Sequence, residues 1–366
     1  MLKTPYGTND FLPDETATKR IIEQKIMQIF SRAGYDEVVT PTMEYLDTLT
    51  NNRAVENELF KMFDLNNKTL ALRHEMTTPI ARLVASRLKN STLPIKLSYN
   101  ANVFRFRKNH QIGRQCEFYQ AGVELVGVNN AAADAEIIYL AAKCLQAANL
   151  TNFKICLGQV QFVQGLLDNL PTDTQAIVKD AIVSHNLVAL ENLGDKIKNI
   201  PTLQGGVEIL HKAKNFADNK KSVEAVDNLL EIYNLLEVYG VANFITFDLG
   251  LVRDFDYYSG MIFEIYAPNV GFSLAGGGHY FLANLPCTGF ALGIERLIQA
   301  AENILPLKKD FYISYQSDNK QAINKAVELR NAGYVVELAF APQSKLDAET
   351  YKNAKGFSEL IYFEQI

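Results

Sequence analysis

NVFRFRKNHQIGRQCEFYQAGVELVG, residues 102–127, places Arg105, Arg107 and Arg114 around a polar, hairpin-like turn and then enters a strand with its polar residues on one face. In FYQAGVELV the two-residue period puts Gln120, Gly122 and Glu124 on one side and Tyr119, Ala121, Val123 and Leu125 on the other. At a rise of about 3.3 Å per residue, Gln120 and Glu124 are roughly 13 Å apart. That spacing suits the two ends of a small zwitterion, with Gly122 leaving room between them. A plainly solvated face satisfies the same pattern. Arg105 and Arg107 share a face of the preceding strand, which calls either for an anionic ligand or for acidic neighbours at the surface.

Other segments carry further candidates, each with an ordinary structural alternative. In LRHEMTTP, Glu75 is placed to accept from an ammonium group, and Thr77 or Thr78 to cap the following helix. LVRDFDYYSG sets Arg253, Tyr257 and Tyr258 where a strand meets a turn, and LAGGGH supplies glycines that admit a close approach or mark a tight bend. Arg296 falls in the first turn of the GIERL helix, where a surface ion pair is the usual role.

At 366 residues the chain is long for one core, and its apolar content is ample to bury two or three structural units. A formal net charge of −5 argues against broad attraction to nucleic acid or an anionic membrane. Cys116, Cys144, Cys156 and Cys287 are scattered, so neither a zinc site nor a disulfide framework is indicated; no metal or cofactor is expected. MLKTPYGTNDFLPDE lacks an apolar leader segment, and no run reaches the length of a membrane span, so a cytoplasmic protein is expected.

Along the chain, Ile21, Ile22, Ile26, Ile29 and Phe30 mark an amphipathic helix ending before Gly34. YDEVVTPTMEYLD reads as a strand interrupted by Pro41, and LFKMFDLNNKTLAL as a hairpin turning on Asn66 and Asn67. Between Gly165 and Gly240 the texture is helical only, with Thr172 or Asp173 as N-cap and Pro201 opening another helix. Strands resume in FITFDLGLVRDFDYYSGMIFEIYAP and LAGGGHYFLA. GFALGIERLIQAAENIL then begins a helix with a stripe of Leu297, Ile298, Ala301 and Ile304. The last sixty or so residues alternate strand and helix as a small βαβ unit.

GTNDFLP, VVTPTME, LALRHEMTTPIAR, FR…GR…EFYQAGVELVG, LVRDFDYYSGMIFE, LAGGGHYF and GFALGIERL occur in the order found in histidyl-tRNA synthetase catalytic domains, and roughly residues 5–300 resemble that family. The resemblance implies an α+β class II aminoacyl-tRNA synthetase-like fold: a mostly antiparallel sheet flanked by helices, with a helical insertion and a small C-terminal α/β unit. The divisions expected are a catalytic-type domain at 1–164 and 241–304, an insertion at 165–240 and a truncated unit at 305–366. It further implies a dimer built around the Pro41 segment and a histidine pocket of Glu75, Thr77, Arg105, Gln120, Glu124, Arg253, Tyr257 and Tyr258.

Departures from the family cluster on the nucleotide side. Active synthetases carry, two residues after the counterpart of Arg105, a glutamate that accepts from the adenine amino group; Arg107 stands there, and a guanidinium has donors only. The loop before Gly113 and Arg114 is longer by one residue, and Asp254 and Phe255 follow the LVR arginine. Arg107, Arg114 and Arg296 remain as a remnant phosphate side. From Pro306 onward eight Lys plus Arg balance eight Asp plus Glu, a poor backbone binder for tRNA. The combination is similar to the ATP phosphoribosyltransferase regulatory subunits, paralogues of histidyl-tRNA synthetase. Membership implies a non-catalytic subunit at the first step of histidine biosynthesis, in a hetero-octamer-like complex with the short catalytic subunit and with L-histidine as effector. No aminoacylation and no tRNA or membrane partner is then expected; the alternative is an active or divergent histidyl-tRNA synthetase.

Overall fold

The computed structural model describes residues 2–50, 56–106, 115–184, 186–191, 193–252, 257–268, 270–301 and 309–364. The chain divides into two compact units, one of Met1–Leu12 and Lys19–Asn303, the other of Pro13–Thr18 and Ile304–Ile366.

Helix α1 (Pro13–Arg32) opens with Pro13 at its first position and Asp14 and Glu15 in its first turn, both suited to a helix start. Its Ile22, Ile26 and Phe30 are buried, and Gly34 leaves it with φ +81°. The YDEVVTPTMEYLD segment is two strands rather than one: β1 (Asp36–Glu37) and β2 (Met43–Tyr45), which join different sheets. Pro41 has no N–H for a ladder. The carbonyls of Thr40 and Pro41 are instead taken by the buried Arg73 guanidinium, at 2.8 and 3.4 Å. After α2 (Leu46–Thr50), β3 (Lys61–Phe63) and β4 (Thr69–Leu72) form the expected hairpin, with Asn67 at φ +57° and Asp64 accepting from Asn66 and Lys68. With β2 they make a small sheet in the order β2-β4-β3.

Then follow α3 (Thr77–Ser86), β5 (Ile95–Phe104), β6 (Glu117–Val126), α4 (Ala131–Ala147), β7 (Lys154–Gln159) and α5 (Val160–Leu167). Strands β5 and β6 pair antiparallel over their whole length, from Ile95 opposite Val126 to Phe104 opposite Glu117. The stretch Gly165–Gly240 holds α6 (Thr172–Val183), α7 (Leu187–Leu190), α8 (Asp195–Asn199), α9 (Glu208–Lys214) and α10 (Lys220–Val238), and also a two-residue strand, β8 (Gln204–Gly205). Thr172 lies inside α6, whose cap position is Pro171 with no side-chain bond, and Pro201 sits in a single 3₁₀ turn. Asn219 caps α10 by accepting from Ser222 N, and Gly240, φ +73°, ends it.

Strands β9 (Ile245–Asp248), β10 (Tyr258–Tyr266), β11 (Ala275–Leu282) and β12 (Leu285–Gly293) lead to α11 (Ile294–Ala300). GFALG is thus the end of a strand and not the start of the helix: Ala283 and Asn284, at φ +51° and +66°, form a tight turn that folds β12 back onto β11. Ala301 follows α11, and Ile304 lies outside the described residues. The main sheet has nine strands in the order β1-β5-β6-β12-β11-β10-β7-β9-β8, antiparallel except for β1–β5 and β7–β9. Among the described residues no helix is long and apolar enough to cross a membrane.

The second unit contains β13 (Phe311–Tyr315), α12 (Lys320–Asn331), β14 (Val336–Leu338), α13 (Lys345–Lys355) and β15 (Glu359–Phe363). Its three strands are parallel in the order β14-β13-β15, around buried Tyr312, Ile313, Ala322, Ala326 and Ala348.

Arg73 joins the Pro41 segment to β5, since its Nε donates to Asn102 O at 2.8 Å and its third nitrogen to Asn102 Oδ1 at 3.0 Å. Arg73→Ala leaves the buried Thr40 carbonyl and the part-buried groups of Pro41 and Asn102 without this donor and is expected to cost about 2 kcal/mol, read as a lowered urea midpoint with unchanged slope.

Candidate functional site

A cavity of about 400 Å³ opens on one face of the main sheet. Its floor is formed by Gln120 and Glu124 of β6, Tyr280 of β11 and Gly289 of β12; Glu75 and Thr77 at the start of α3, Tyr99 of β5 and Tyr257 and Tyr258 form walls, with Arg105 and Arg296 further along. Glu75, Thr77, Arg105, Gln120, Glu124, Tyr257, Tyr258 and Arg296 are therefore brought together. Arg107, Arg114 and Arg253 lie outside the described residues, as do Gly113, Asp254 and Phe255.

Glu75 is the cap of α3: Oε2 accepts from Thr77 N at 2.7 Å and Oε1 from Thr78 N at 2.8 Å. The capping role expected of Thr77 or Thr78 thus falls to Glu75, whose charge also suits the helix N-terminus. Thr77 turns the other way and donates its hydroxyl to Glu124 Oε1 at 2.9 Å.

Glu124 is 1 % exposed. Its Oε2 accepts from the Tyr280 hydroxyl and from the Cys287 thiol, the latter at 3.6 Å. Burial raises its carboxyl to about 7, the bonds from Tyr280, Thr77 and Cys287 pull it down, and the nearby charge of Glu75 raises it. Gly289 makes this position possible, because a Cβ there would run into Glu124 Oε2 and lie 2.9 Å from the Tyr280 oxygen. Gly122 has a different use from the one its place in the strand implied. A Cβ on it would be 2.5 Å from the Tyr99 hydroxyl, so the space over it is taken by a phenol and not left for a ligand.

Gln120 is 9 % exposed, lines the cavity, and its buried Oε1 has no hydrogen-bond partner. Arg105 is the first residue past β5 rather than part of it; its Nε donates to His74 O at 2.9 Å and its guanidinium lies 5.2 Å from the Phe118 ring centre. Arg296, half-buried in the cavity wall, donates to Ser273 O at 2.7 Å and lies 5.0 Å from the Phe272 ring centre. Tyr257 stacks on Tyr280 at 4.8 Å and meets Tyr258 edge-on at 4.7 Å.

Tyr99, Tyr280, Cys287 and Gly289 are site residues that sequence reasoning missed. They come together only through the register that sets Tyr280 opposite Cys287 and Gly289 opposite Glu124. Recognising that GFALG continues a strand is the signal that would have found them.

The fold and this cavity define a class II synthetase-type domain, and the histidyl-tRNA synthetase family model matches residues 7–297. The histidyl-tRNA synthetase of Nostoc sp. shares the fold, with a TM-score of 0.85 at 20% identity, over 100% of this chain and 92% of that one. Curated relatives are closer in sequence. The ATP phosphoribosyltransferase regulatory subunit of Moorella thermoacetica is 38% identical over 98% of this chain and 97% of its own length. That of Thermoanaerobacter pseudethanolicus is 35% identical over 100% of both. A Bacillus halodurans structure described as an ATP phosphoribosyltransferase regulatory subunit/histidyl-tRNA synthetase superposes with a TM-score of 0.89 at 32% identity, over 100% of this chain and 99% of that one. The chain belongs to the ATP phosphoribosyltransferase regulatory subunit family, within the histidyl-tRNA synthetase-like class.

A carboxyl held near 7 in the folded state and at 4.5 when unfolded binds its proton more tightly in the fold. Its contribution to stability is full below 4.5 and is lost as pH rises through about 7. Against Glu124→Gln, the parent is therefore expected to lose on the order of 3 kcal/mol between those limits, measured by urea unfolding across pH. Asp134 of α4, also pushed by burial to about 7, remains in both proteins and cancels in the comparison.

Proposed function

We propose that the chain is the non-catalytic regulatory subunit of ATP phosphoribosyltransferase at the first step of histidine biosynthesis. In this reading it is required for activity of a short catalytic subunit and confers feedback inhibition by histidine. The observation that carries the reading is the buried, unpartnered Gln120 Oε1 set in one cavity with Glu75 and Glu124, an acceptor-rich end suited to an amino acid with a basic side chain. Histidine binds with its ammonium group near Glu75 and Gln120, its imidazole near Glu124 and Tyr258, and its carboxylate near Arg105; Arg253, Thr77 and Tyr257 belong to the same pocket. Arg107 supplies no acceptor for an adenine amino group, so the nucleotide side, with Arg114 and Arg296, does not carry adenylate formation.

The assembly pairs two copies around the Pro41 segment within a hetero-octamer-like complex. Residues 1–164 and 241–304 act as the synthetase-type domain, 165–240 as a helical insertion and 305–366 as a small unit that does not bind tRNA. Feedback requires that histidine bind the active and inhibited assemblies with different affinity.

The test is co-purification with the short catalytic subunit followed by an activity assay with and without histidine. The expected outcome is that activity depends on the chain and falls when histidine is added. Glu124→Gln, which keeps an acceptor for the donors around it, is expected to assemble with the catalytic subunit and to weaken the histidine response by about tenfold or more. A short subunit equally active alone overturns the proposal, as does robust histidine-dependent exchange between ATP and pyrophosphate, which would mark an active synthetase.

A further inference from the structure

The three-stranded sheet of the second unit ends on one side at β14, whose outer edge has no strand beside it. Pairing with β13 fixes which backbone groups lie on that edge. Phe311 N donates to Val335 O and Ala339 N to Ile313 O, with Phe311 opposite Val336 and Ile313 opposite Leu338. Val335, Glu337 and Ala339 therefore turn their backbone groups to β13, and the alternation along a strand turns those of Val336 and Leu338 outward. Arg330 of α12 takes the Val336 carbonyl, at 3.2 Å from Nε and 3.0 Å from Nη2. The N–H groups of Val336 and Leu338 and the Leu338 carbonyl face out as a template for one more strand.

A groove of about 410 Å³ runs along this edge, lined by Val336, Leu338, Phe340 and Phe357 together with Lys309 and Arg330. Phe340 is 99 % exposed. One exposed apolar side chain is ordinary, but this one stands on an apolar groove beside an open strand edge, the setting in which strands dock. The charge of the groove is unbalanced. Its carboxylate, Glu337, accepts from the Tyr351 hydroxyl at 2.6 Å. Lys309, 2.9 Å from the Lys355 carbonyl, keeps further N–H donors, and Arg330 keeps a terminal nitrogen. A second copy of the chain brings the same excess of positive charge, and the register that sets Val336 against Leu338 also sets Glu337 against Glu337. An occupant bearing carboxylates removes both conflicts. We infer that the β14 edge takes an extended segment of the catalytic subunit, which adds as a fourth strand, lays an apolar side chain against Phe340 and places a carboxylate on Lys309 and Arg330. The inference rests on the reading of the chain as a regulatory subunit that pairs with a catalytic one.

Amide hydrogen exchange on the full chain, alone and with the catalytic subunit, reads this edge directly. In the chain alone, Val336 and Leu338 are expected to exchange faster than Glu337 and Ala339, whose N–H groups face β13. In the complex the first two are expected to slow by about tenfold or more. Phe340→Asp alters a side chain that lies in solvent, and Leu338→Pro removes an outward donor that no ladder bond uses. Each is expected to weaken association by about tenfold or more, Phe340→Asp with an unchanged urea midpoint, and the parent complex is expected to weaken as salt is raised. Parental affinity in Phe340→Asp, with no slowing at Val336 and Leu338, overturns this inference alone. Slowing in the isolated chain that grows with its concentration overturns it in favour of a second copy, and slow exchange there at every concentration in favour of cover from within the chain. A parent chain that forms no complex with the catalytic subunit overturns the regulatory reading, and this inference with it.

Discussion

The buried carboxyl of Glu124 ties together α3, β6, β11 and β12, and the shape of the cavity floor follows from how that carboxyl is held. Thr77, Tyr280 and Cys287 each give it a hydrogen bond. A buried acid with partners on separate elements fixes their relative positions, because a shift of any one leaves a polar atom unsatisfied in a dry place. Gly289 must then lack a side chain, and the pairing of β12 with β6 must place it opposite Glu124. The Tyr280 phenol is held in turn by stacking under Tyr257.

Much of this was legible in the sequence where a local rule decided the outcome. The apolar spacing of α1 and the Asn67 turn needed only short-range periodicity and turn chemistry. The alternation of Gln120 and Glu124 was visible for the same reason, and both side chains do face one cavity. Where the reading failed, a partner distant in sequence decided. Pro41 separates two strands because Arg73 takes the carbonyls around it. Gly122 serves the Tyr99 phenol of the neighbouring strand. GFALG read as a helix start because a short apolar run carries no sign of its pairing; its hydrogen bonds to β6 and β11 make it a central strand.

The cavity is uneven in character. Its inner end is built from acceptors and phenols on regular strands, which fix side chains closely, while Arg105 and Arg296 reach its outer end from the end of a strand and from a short helix. Of the residues that carry the family resemblance, Glu75, Thr77, Gln120 and Glu124 line the inner part and Arg105 the outer, while Arg107 and Arg253 lie outside the described residues.

The Glu75 cap carries one more implication. Each of its oxygens accepts from a backbone N–H of the first turn of α3, and the same carboxylate borders the cavity. A ligand cation resting on Glu75 shares its counter-ion with the end of a helix, and so reaches the backbone through a single side chain. The first turn of α3 and any cation bound at Glu75 would then draw on one carboxylate.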